Sequence, residues 1–173
     1  MHIRTATDED HAAITAVLSE VFETEAEARL VKTLRAAQAD TLELVALEQD
    51  DIVGTVLFSP VEARYADGRE VYGLGLAPLA VRPAHQGRGI GSALVDCAIE
   101  SLTPLGVPFC VVLGEPNYYS RFGFSAARDH VWFWDKDPTG SETGDAFQLL
   151  RWRESACPPG PALVHYHPGF DAV

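Results

Sequence analysis

A strand, a glycine-rich loop and a helix follow one another between residues 74 and 102, and this order constrains the fold more than any other part of the chain. The apolar run 74–81 ends just before Pro83, and apolar side chains recur at helical spacing from Leu94 to Leu102. The loop between them carries Gly87, Gly89 and Gly91. The first N–H groups of a helix have no intrahelical partner and lie at the positive end of its dipole. The segment therefore predicts an anion-binding site at a helix N-terminus.

The charge of this loop is opposite in sign to that of the whole chain. Arg82, His85 and Arg88 lie within seven residues of one another, whereas the 173-residue chain has a formal net charge of −12. The local positive charge favours a phosphate-bearing ligand. The overall negative charge argues against nucleic acid or an anionic membrane as the main partner.

The bulk composition is that of an ordinary globular protein. Hydrophobic residues make up 47% and charged residues 22% of the chain. No apolar run approaches the roughly 18 residues of a membrane span, and the first residues lack a signal-peptide pattern. The three cysteines, Cys97, Cys110 and Cys157, are odd in number and lack metal-type spacing. We therefore expect a cytoplasmic protein with reduced thiols and no metal.

The order of predicted elements is that of an α/β (α+β) protein in a single domain, residues 1–173. A short strand near Ile3 and two helices precede a meander of three strands, and Asp67-Gly68 forms the turn between the last two. The glycine-loop helix leads to a strand over 108–113, which a right-handed crossover makes parallel to the strand ending at Val81. A short helical segment and further strands complete the pattern.

Pro78 interrupts the strand that precedes the glycine loop. Proline donates no ladder hydrogen bond and is rare in central strands, yet the glycine loop requires a central strand. Two explanations stay open. The strand parts from its neighbour near Pro78 and leaves backbone groups available to an extended, amide-bearing ligand, or the strand lies at the edge of the sheet.

Two common nucleotide-binding patterns do not fit the loop. A dinucleotide fingerprint requires Gly-x-Gly-x-x-Gly early in a βαβ unit, whereas here Gly87-x-Gly89-x-Gly91 follows a meander. A P-loop would need a Gly-Lys-Ser/Thr sequence, which this loop lacks.

The loop instead resembles the acyl-CoA signature of the GNAT superfamily of N-acetyltransferases, through Gln86-x-x-Gly89-x-Gly91 preceded by Leu-x-Val-x-Pro at 79–83. The segment 114–124 is similar to the Gly-x-Pro-x-Tyr-Tyr-x-Arg-Phe-Gly-Phe segment of one bacterial branch, and residues 160–170 are similar to the ending of that branch. The resemblance spans nearly the whole chain. It implies the GNAT fold, with a mixed central sheet of about seven strands, flanking helices and a splay near Pro78–Val81.

The resemblance also implies a role for the loop and for the strand before it. Backbone N–H groups at the helix N-terminus would bind the coenzyme A pyrophosphate, Gln86 would line the loop, and strand backbone groups would pair with the pantetheine amides. The pyrophosphate residues are Gly87, Arg88, Gly89, Ile90, Gly91 and Ser92, and the strand residues are Leu79, Ala80 and Val81. The thioester carbonyl would then lie beside a strand N–H, which stabilises an oxyanion.

Tyr119 matches the tyrosine that donates a proton to the departing thiolate in the family. Ordinary pKa values of about 10 for a phenol and about 8.5 for a thiol make this transfer feasible, and packing against the core is the alternative role. Tyr118 is the second candidate donor. Many members place a pantetheine-contacting Asn seven residues before this tyrosine, where the chain has Val112, and whether Asn117 replaces it stays open.

The function implied is transfer of an acetyl group from acetyl-CoA, a co-substrate, to a primary amine by direct attack in a ternary complex. The second hypothesis is a catalytically silent CoA-binding regulatory or scaffold module. The acceptor stays open between a small molecule and a protein amine, and a homodimer stays open as well. His165 and His167, two residues apart, do not by themselves make a metal site. The candidates for a general base are Glu25, Glu27, Glu62, Glu115, His130 and water.

Overall fold

Residues 1–172, the part of the chain that the computed structural model describes, form nine strands and four α-helices joined by turns and short 3-10 segments. The strands are β1 (His2–Thr5), β2 (Leu42–Glu48), β3 (Asp51–Tyr65), β4 (Glu70–Val81), β5 (Phe109–Leu113), β6 (Ser125–Ala126), β7 (Trp132–Trp134), β8 (Phe147–Arg151) and β9 (Ala162–Tyr166). The helices are α1 (His11–Val21), α2 (Ala26–Ala36), α3 (Ile90–Leu102) and α4 (Pro116–Tyr119).

The strands form a mixed, mostly antiparallel sheet, as expected. The strand order is β1-β2-β3-β4-β5-β8-β6, with β9 pairing with both β3 and β7. The β4–β5 and β7–β9 pairs are parallel. The strand order runs through seven strands, about the expected number, and β7 and β9 bring the total within residues 1–172 to nine. Strands as short as the two-residue β6 carry no alternation pattern that a sequence could reveal.

The chain divides into two compact units, each built from separate segments. The first contains Met1–Ser59, Ala77–Ser101 and the segment from Pro168 onward. The second contains Pro60–Leu76 and Leu102–His167. The single domain over residues 1–173 stays a prediction.

The core of the first unit lies between its helices and strands. Ile14, Val17 and Leu18 repeat at helical spacing on α1 and are buried, as are Leu30 and Leu34 on α2. They belong to one apolar cluster with residues of β2, β3 and β4. Burial of these apolar stripes, rather than helix propensity, holds the two short helices in place.

The core of the second unit is centred on the Trp132 ring. That ring packs edge-on against Phe109, with centroids 4.9 Å apart, and against Tyr65 at 5.8 Å. A Cβ at Gly73 would lie 2.6 Å from the Phe109 ring, so only glycine lets β4 pass so close to it. The same apolar cluster contains Phe109 of β5, the strand that leads into α4.

Pro78 lies within β4, and its peptide bond with Ala77 is cis. Because β4 lies between β3 and β5 in the strand order, the explanation that Pro78 marks an edge strand is wrong. The registered pairs of β4 with β5 are Leu74 with Cys110 and Gly75 with Val111. The splay near Pro78–Val81 stays a prediction.

Of the helices within residues 1–172, none is long and apolar enough to span a bilayer.

Candidate active site

The loop between β4 and α3 is shaped by its own hydrogen bonds. The Arg82 N–H donates to the Val53 carbonyl at 2.9 Å, and the His85 N–H donates to the Arg82 carbonyl at 2.8 Å. The Gln86 side chain donates from Nε2 to the Val81 carbonyl at 2.9 Å. Gln86, expected to line the loop, therefore also ties the loop to the end of β4.

The glycines of the loop leave its surface open. Gly87 and Gly89 have φ values of +72° and +82°, in the left-handed region that glycine adopts without strain. A Cβ built on either would meet no atom within 4 Å. Residues 87–89 are exposed, whereas Ile90 is buried in the first unit. The loop surface before the helix is therefore accessible, while Ile90 anchors the helix behind it.

The first turn of α3 follows Gly89, which has no side chain that could cap it. The Ala93 N–H donates to the Gly89 carbonyl at 3.0 Å, which makes Gly89 the residue that precedes the helix. Ile90, Gly91 and Ser92 then form the first turn, whose N–H groups have no carbonyl one turn earlier. Since glycine has no side chain to occupy these donors, they remain available to an anion.

The cations of the loop are paired with carboxylates of the first unit. Arg82 forms an ion pair with Glu20 and donates from Nε to the Ile52 carbonyl at 3.0 Å. Arg88 lies 2.8 Å from one oxygen of Glu48, and His85 Nε2 lies 3.7 Å from the other. The local positive charge inferred from sequence is thus largely neutralised. The carboxylate partners of Arg82 and Arg88 are 62 and 40 residues away in the chain.

Close packing of α3 on the strands sets the position of its N-terminus. A Cβ at Gly54 would lie 3.1 Å from the Ala80 carbonyl oxygen and 3.3 Å from the Ile90 side chain. Ala80 is buried, while Leu79 and Val81 on either side of it are half-buried. The ten residues expected to bind the cofactor, 79–81 and 86–92, all lie in the first unit.

Tyr119 lies in the second unit, at the end of α4. Glu115 precedes the helix and accepts a hydrogen bond from the Asn117 N–H at 3.4 Å, and Pro116 is the first helical residue. A Cβ at Gly114 would lie 2.4 Å from Cε2 of the Tyr119 ring. The ring can therefore lie directly on the backbone of the chain that enters α4.

Two hydrogen bonds hold the Gly114 backbone beneath the Tyr119 ring, one at its N–H and one at its carbonyl. The Gly114 N–H donates to the Ala146 carbonyl at 2.9 Å. The buried Gln148 donates from Nε2 to the Gly114 carbonyl at 3.1 Å. Gln148 belongs to no sequence motif and its contact spans 34 residues, so the sequence alone does not predict it.

Tyr119 is only 8% exposed and sits among aromatic rings. Its centroid lies 4.9 Å from that of Tyr118 and 5.8 Å from that of Phe124. Burial raises the pKa of Tyr119 well above its ordinary value, and the nearby Tyr118 and Cys110 raise it further. The phenol therefore keeps its proton throughout the neutral range.

The other residues considered beside Tyr119 have different surroundings. The Arg121 guanidinium lies over the Tyr118 ring, 4.4 Å from its centroid. Val112 is buried in β5, where it pairs with Gln148 on β8. Asn117 is exposed in the first turn of α4. Whether Asn117 takes the place of the family's pantetheine contact stays a prediction.

Three of the candidate bases are already engaged. The two oxygens of Glu62 accept from the Arg64 guanidinium at 2.7 and 2.9 Å, and this pairing lowers the pKa of Glu62. His130 contacts Ser125 through Nε2 and Arg151 through Nδ1, both at 3.1 Å, and its pKa is lowered, mainly by burial. Glu115 caps α4.

Two further candidates lie on or before α2, in the first unit. Glu25 accepts a hydrogen bond from the Ser19 hydroxyl at 3.0 Å. Glu27 has a buried Oε2 with no hydrogen-bond partner among the described residues. Within residues 1–172, no three His, Cys, Asp or Glu side chains are grouped so that they could hold a metal ion.

Comparison with known proteins identifies the family. A model described as "Acetyltransferase (GNAT) domain" matches residues 2–127. The chain is 38% identical to an uncharacterized N-acetyltransferase of Escherichia coli K12, YhbS, over 172 residues and 99% of both chains. The crystal structure of E. coli YhbS in complex with CoA matches with a TM-score of 0.87 at 37% identity, covering 98% of this chain and 91% of that one. A GNAT family acetyltransferase from Brucella melitensis in complex with acetyl-CoA matches with a TM-score of 0.77 at 34% identity, covering 98% and 97%. The chain belongs to the GNAT family of N-acetyltransferases.

Proposed function

We propose that this protein transfers an acetyl group from acetyl-CoA to a primary amine, by direct attack in a ternary complex. The observation that carries the proposal is the open glycine loop before the first turn of α3, where Gly87 and Gly89 have no neighbouring atom within 4 Å of an added Cβ. The crystal structures of two relatives, at 37% and 34% identity, contain CoA and acetyl-CoA. The acceptor is a small-molecule or protein amine.

The donor binds mainly through backbone groups in this proposal. Because Arg82 and Arg88 are already paired with Glu20 and Glu48, the pyrophosphate is held chiefly by fixed N–H groups and the helix dipole. The residues that supply them are Gly87, Arg88, Gly89, Ile90, Gly91 and Ser92, with Gln86 lining the loop. The backbone of Leu79, Ala80 and Val81 pairs with the pantetheine amides.

Tyr119 assists the departure of the thiolate. As the amine nitrogen attacks the thioester carbonyl carbon and the C–S bond breaks, negative charge develops on sulfur. The raised pKa of Tyr119 keeps its proton in place, so that a donor is present at that moment. At ordinary pKa values, full transfer from a phenol to a thiolate is uphill by about 2 kcal/mol, and burial makes it steeper. Tyr119 therefore stabilises the developing thiolate first as a hydrogen-bond donor and gives up its proton as the bond breaks.

A matched pair of glycine variants tests the donor site. Gly89 and Gly68 have nearly the same φ, +82° and +86°, and an added Cβ meets no atom within 4 Å at either. Alanine at each should therefore be strained by a similar amount, about 1–2 kcal/mol. We expect Gly89→Ala to weaken CoA binding at least tenfold in calorimetry, whereas Gly68→Ala, in the β3–β4 turn, leaves it unchanged. Equal affinities in the two variants would remove the loop from the donor site.

A second variant tests the chemistry. Tyr119→Phe should leave CoA affinity unchanged and lower kcat by about 10²-fold, measured as thiol release from acetyl-CoA over a panel of primary amines. CoA binding by the wild-type protein, with no thiol release on any amine, would favour the silent binding module over the enzyme.

A further inference from the structure

We propose that His165 is the general base that removes a proton from the acceptor amine, and that Asp135 positions it. The inference rests on the proposed function, because it adds a residue to the same reaction. His165 lies on β9 and Asp135 directly follows β7, the strand that pairs with β9.

A carboxylate holds the imidazole of His165 in one orientation. Nδ1 of His165 lies 2.8 Å from Oδ2 of Asp135. Asp135 is itself anchored to β9, since its N–H donates to the Val164 carbonyl at 3.0 Å. With Nδ1–H donated to the carboxylate, the proton-accepting nitrogen of the neutral ring is Nε2. The two side chains are 28% and 29% exposed, so that a ligand and solvent can reach them.

His165 faces away from the apolar core of the second unit. In the β3–β9 register it pairs with Glu62, while the flanking residues Val61 and Ala63 belong to the apolar cluster. Because side chains alternate along a strand, Glu62 and His165 share the face opposite that cluster. Glu62 is close to Tyr72 of β4, whose pKa its charge raises.

The same face leads to Tyr119. Tyr72 and Leu74 are two residues apart on β4, and Leu74 pairs with Cys110 of β5, so these side chains lie on one face. Cys110 is close enough to Tyr119 to raise the pKa of its phenol. The proposed base and Cys110, a neighbour of the proposed acid Tyr119, thus lie on one face of the strands of the second unit.

This face suits a cationic acceptor. Tyr72 is 63% exposed and offers an aromatic ring beside its hydrogen-bond acceptor Glu70. An excess of carboxylate attracts a protonated amine, which must lose a proton before it can attack. The charged groups that face His165 from the neighbouring elements are Glu62 of β3, its register partner, and Asp135 after β7. Glu62 pairs with Arg64, which also lies 3.9 Å from Glu70 of β4.

Other candidates are less suited to the role. The carboxylate of Glu62 accepts hydrogen bonds from Nε and Nη2 of Arg64, which makes it a weaker base. Both ring nitrogens of His130 have partners. Glu27 of the first unit, with its buried and unpartnered Oε2, is the remaining rival.

The acceptor enters the step as R–NH3⁺. Nε2 of His165 takes one proton, and the freed nitrogen pair attacks the thioester carbonyl carbon to form the C–N bond. The C–S bond then breaks and its electron pair leaves on sulfur, which takes the Tyr119 proton. The new amide nitrogen loses its second proton, which returns to Tyr119 through solvent, and His165 releases its own. The products are R–NH–acetyl, CoA thiol and one H⁺.

The experiment compares pH profiles of kcat/KM for the amine in four single variants. His165→Gln should lower kcat/KM at pH 7 by about 10²-fold. The deficit should shrink as the pH approaches the amine's own pKa of about 10, because the free amine then needs no base. Asp135→Asn, which keeps the hydrogen bond but not the charge, should lower kcat/KM about tenfold and move the acid limb of the profile. The control His2→Gln, an exposed histidine on β1, should match the wild type, and Glu27→Gln should as well.

The outcomes separate this inference from the proposed function. Failure of the wild-type protein to acetylate any amine would overturn both. Wild-type turnover with an unchanged pH profile in His165→Gln would overturn the role of His165 alone, as would a loss of the acid limb in Glu27→Gln only. Thermal melting and the KM for acetyl-CoA, both expected to be unchanged in His165→Gln, show that a lower rate does not come from misfolding.

Discussion

The close contact between Gly114 and the Tyr119 ring allows a test of how the fold positions Tyr119, the proposed acid. A Cβ at position 114 would lie 2.4 Å from Cε2 of Tyr119, whereas ordinary contacts begin near 3.4 Å. In Gly114→Ala the ring must therefore retreat by about 1 Å, or the chain entering α4 must move. The chain cannot move freely, because Ala146 and Gln148 hold Gly114 at its N–H and its carbonyl.

The size of this overlap sets the expected losses of stability and of catalytic rate. Overpacking of a core by one methyl group destabilises a protein by about 1–3 kcal/mol, which for a chain of this length lowers Tm by roughly 2–12 °C. Displacement of a catalytic group by about 1 Å can lower the rate by about 10²-fold. We expect Gly114→Ala to show both effects, with CoA affinity unchanged, when melting, thiol release and calorimetry are measured on the same samples.

A double-mutant cycle assigns the effect to the ring. Tyr119→Leu removes Cε2, so adding Gly114→Ala to that variant should lower Tm much less than it does in the wild type. An equal drop in the two backgrounds would show that the methyl group collides with something other than Tyr119. A Gly114→Ala variant with wild-type Tm and kcat would refute the packing argument as a whole.

Two ion pairs of the first unit give further predictions. Asp10 accepts from Arg4 at 2.6 and 2.9 Å, and this pairing lowers the pKa of Asp10 far below its usual range. Its stabilisation is therefore present above the unfolded pKa of about 3.9 and is lost as the pH falls below it, so the Tm difference between wild type and Asp10→Asn should be large at pH 7 and shrink below pH 4. Glu43 and Arg35 form a buried pair with an N–O distance of 2.6 Å and side chains 6% and 11% exposed. Glu43→Ala should destabilise the protein by about 3–5 kcal/mol in urea unfolding, and a change below 1 kcal/mol would contradict the pairing.

Local sequence patterns predicted the parts of the protein that depend on neighbours in the chain. The glycine loop and the apolar stripe after Gly91 placed α3 correctly, because caps and helical periodicity are local properties. The parallel arrangement of β4 and β5 followed from the crossover rule, but their register did not. The short helical segment predicted after the strand over 108–113 corresponds to α4, which follows β5.

Contacts between distant residues were not accessible in this way. Arg82 pairs with Glu20, which is 62 residues away in the chain. The sequence around the loop therefore predicted a cationic site, although the charge of the loop is largely neutralised in the structure. The Asp135–His165 pair depends on the parallel pairing of β7 with β9, and the three residues of β7 are too few to reveal their partner. The spacing of β7 and β9 in the chain does not reveal that they pair, and the proposed base was missed for that reason.

Charge should act in opposite directions on the two substrates. The chain has a net charge of −12, and the loop cations Arg82 and Arg88 are already paired. In the proposed site, fixed backbone dipoles therefore bind the polyanion acetyl-CoA against an unfavourable long-range field. A cationic amine is attracted by the same field. Raising the ionic strength from about 0.01 M to 0.15 M shortens the screening length from about 30 Å to about 8 Å. We therefore expect the KM for acetyl-CoA to fall or stay level as salt is added, while the KM for a monocationic amine rises. Steady-state kinetics at fixed pH with a neutral salt measure both. If the KM for acetyl-CoA rises steeply instead, then Arg82 and Arg88 leave their carboxylates to bind the phosphates, and the N–H groups of α3 are not the main donors.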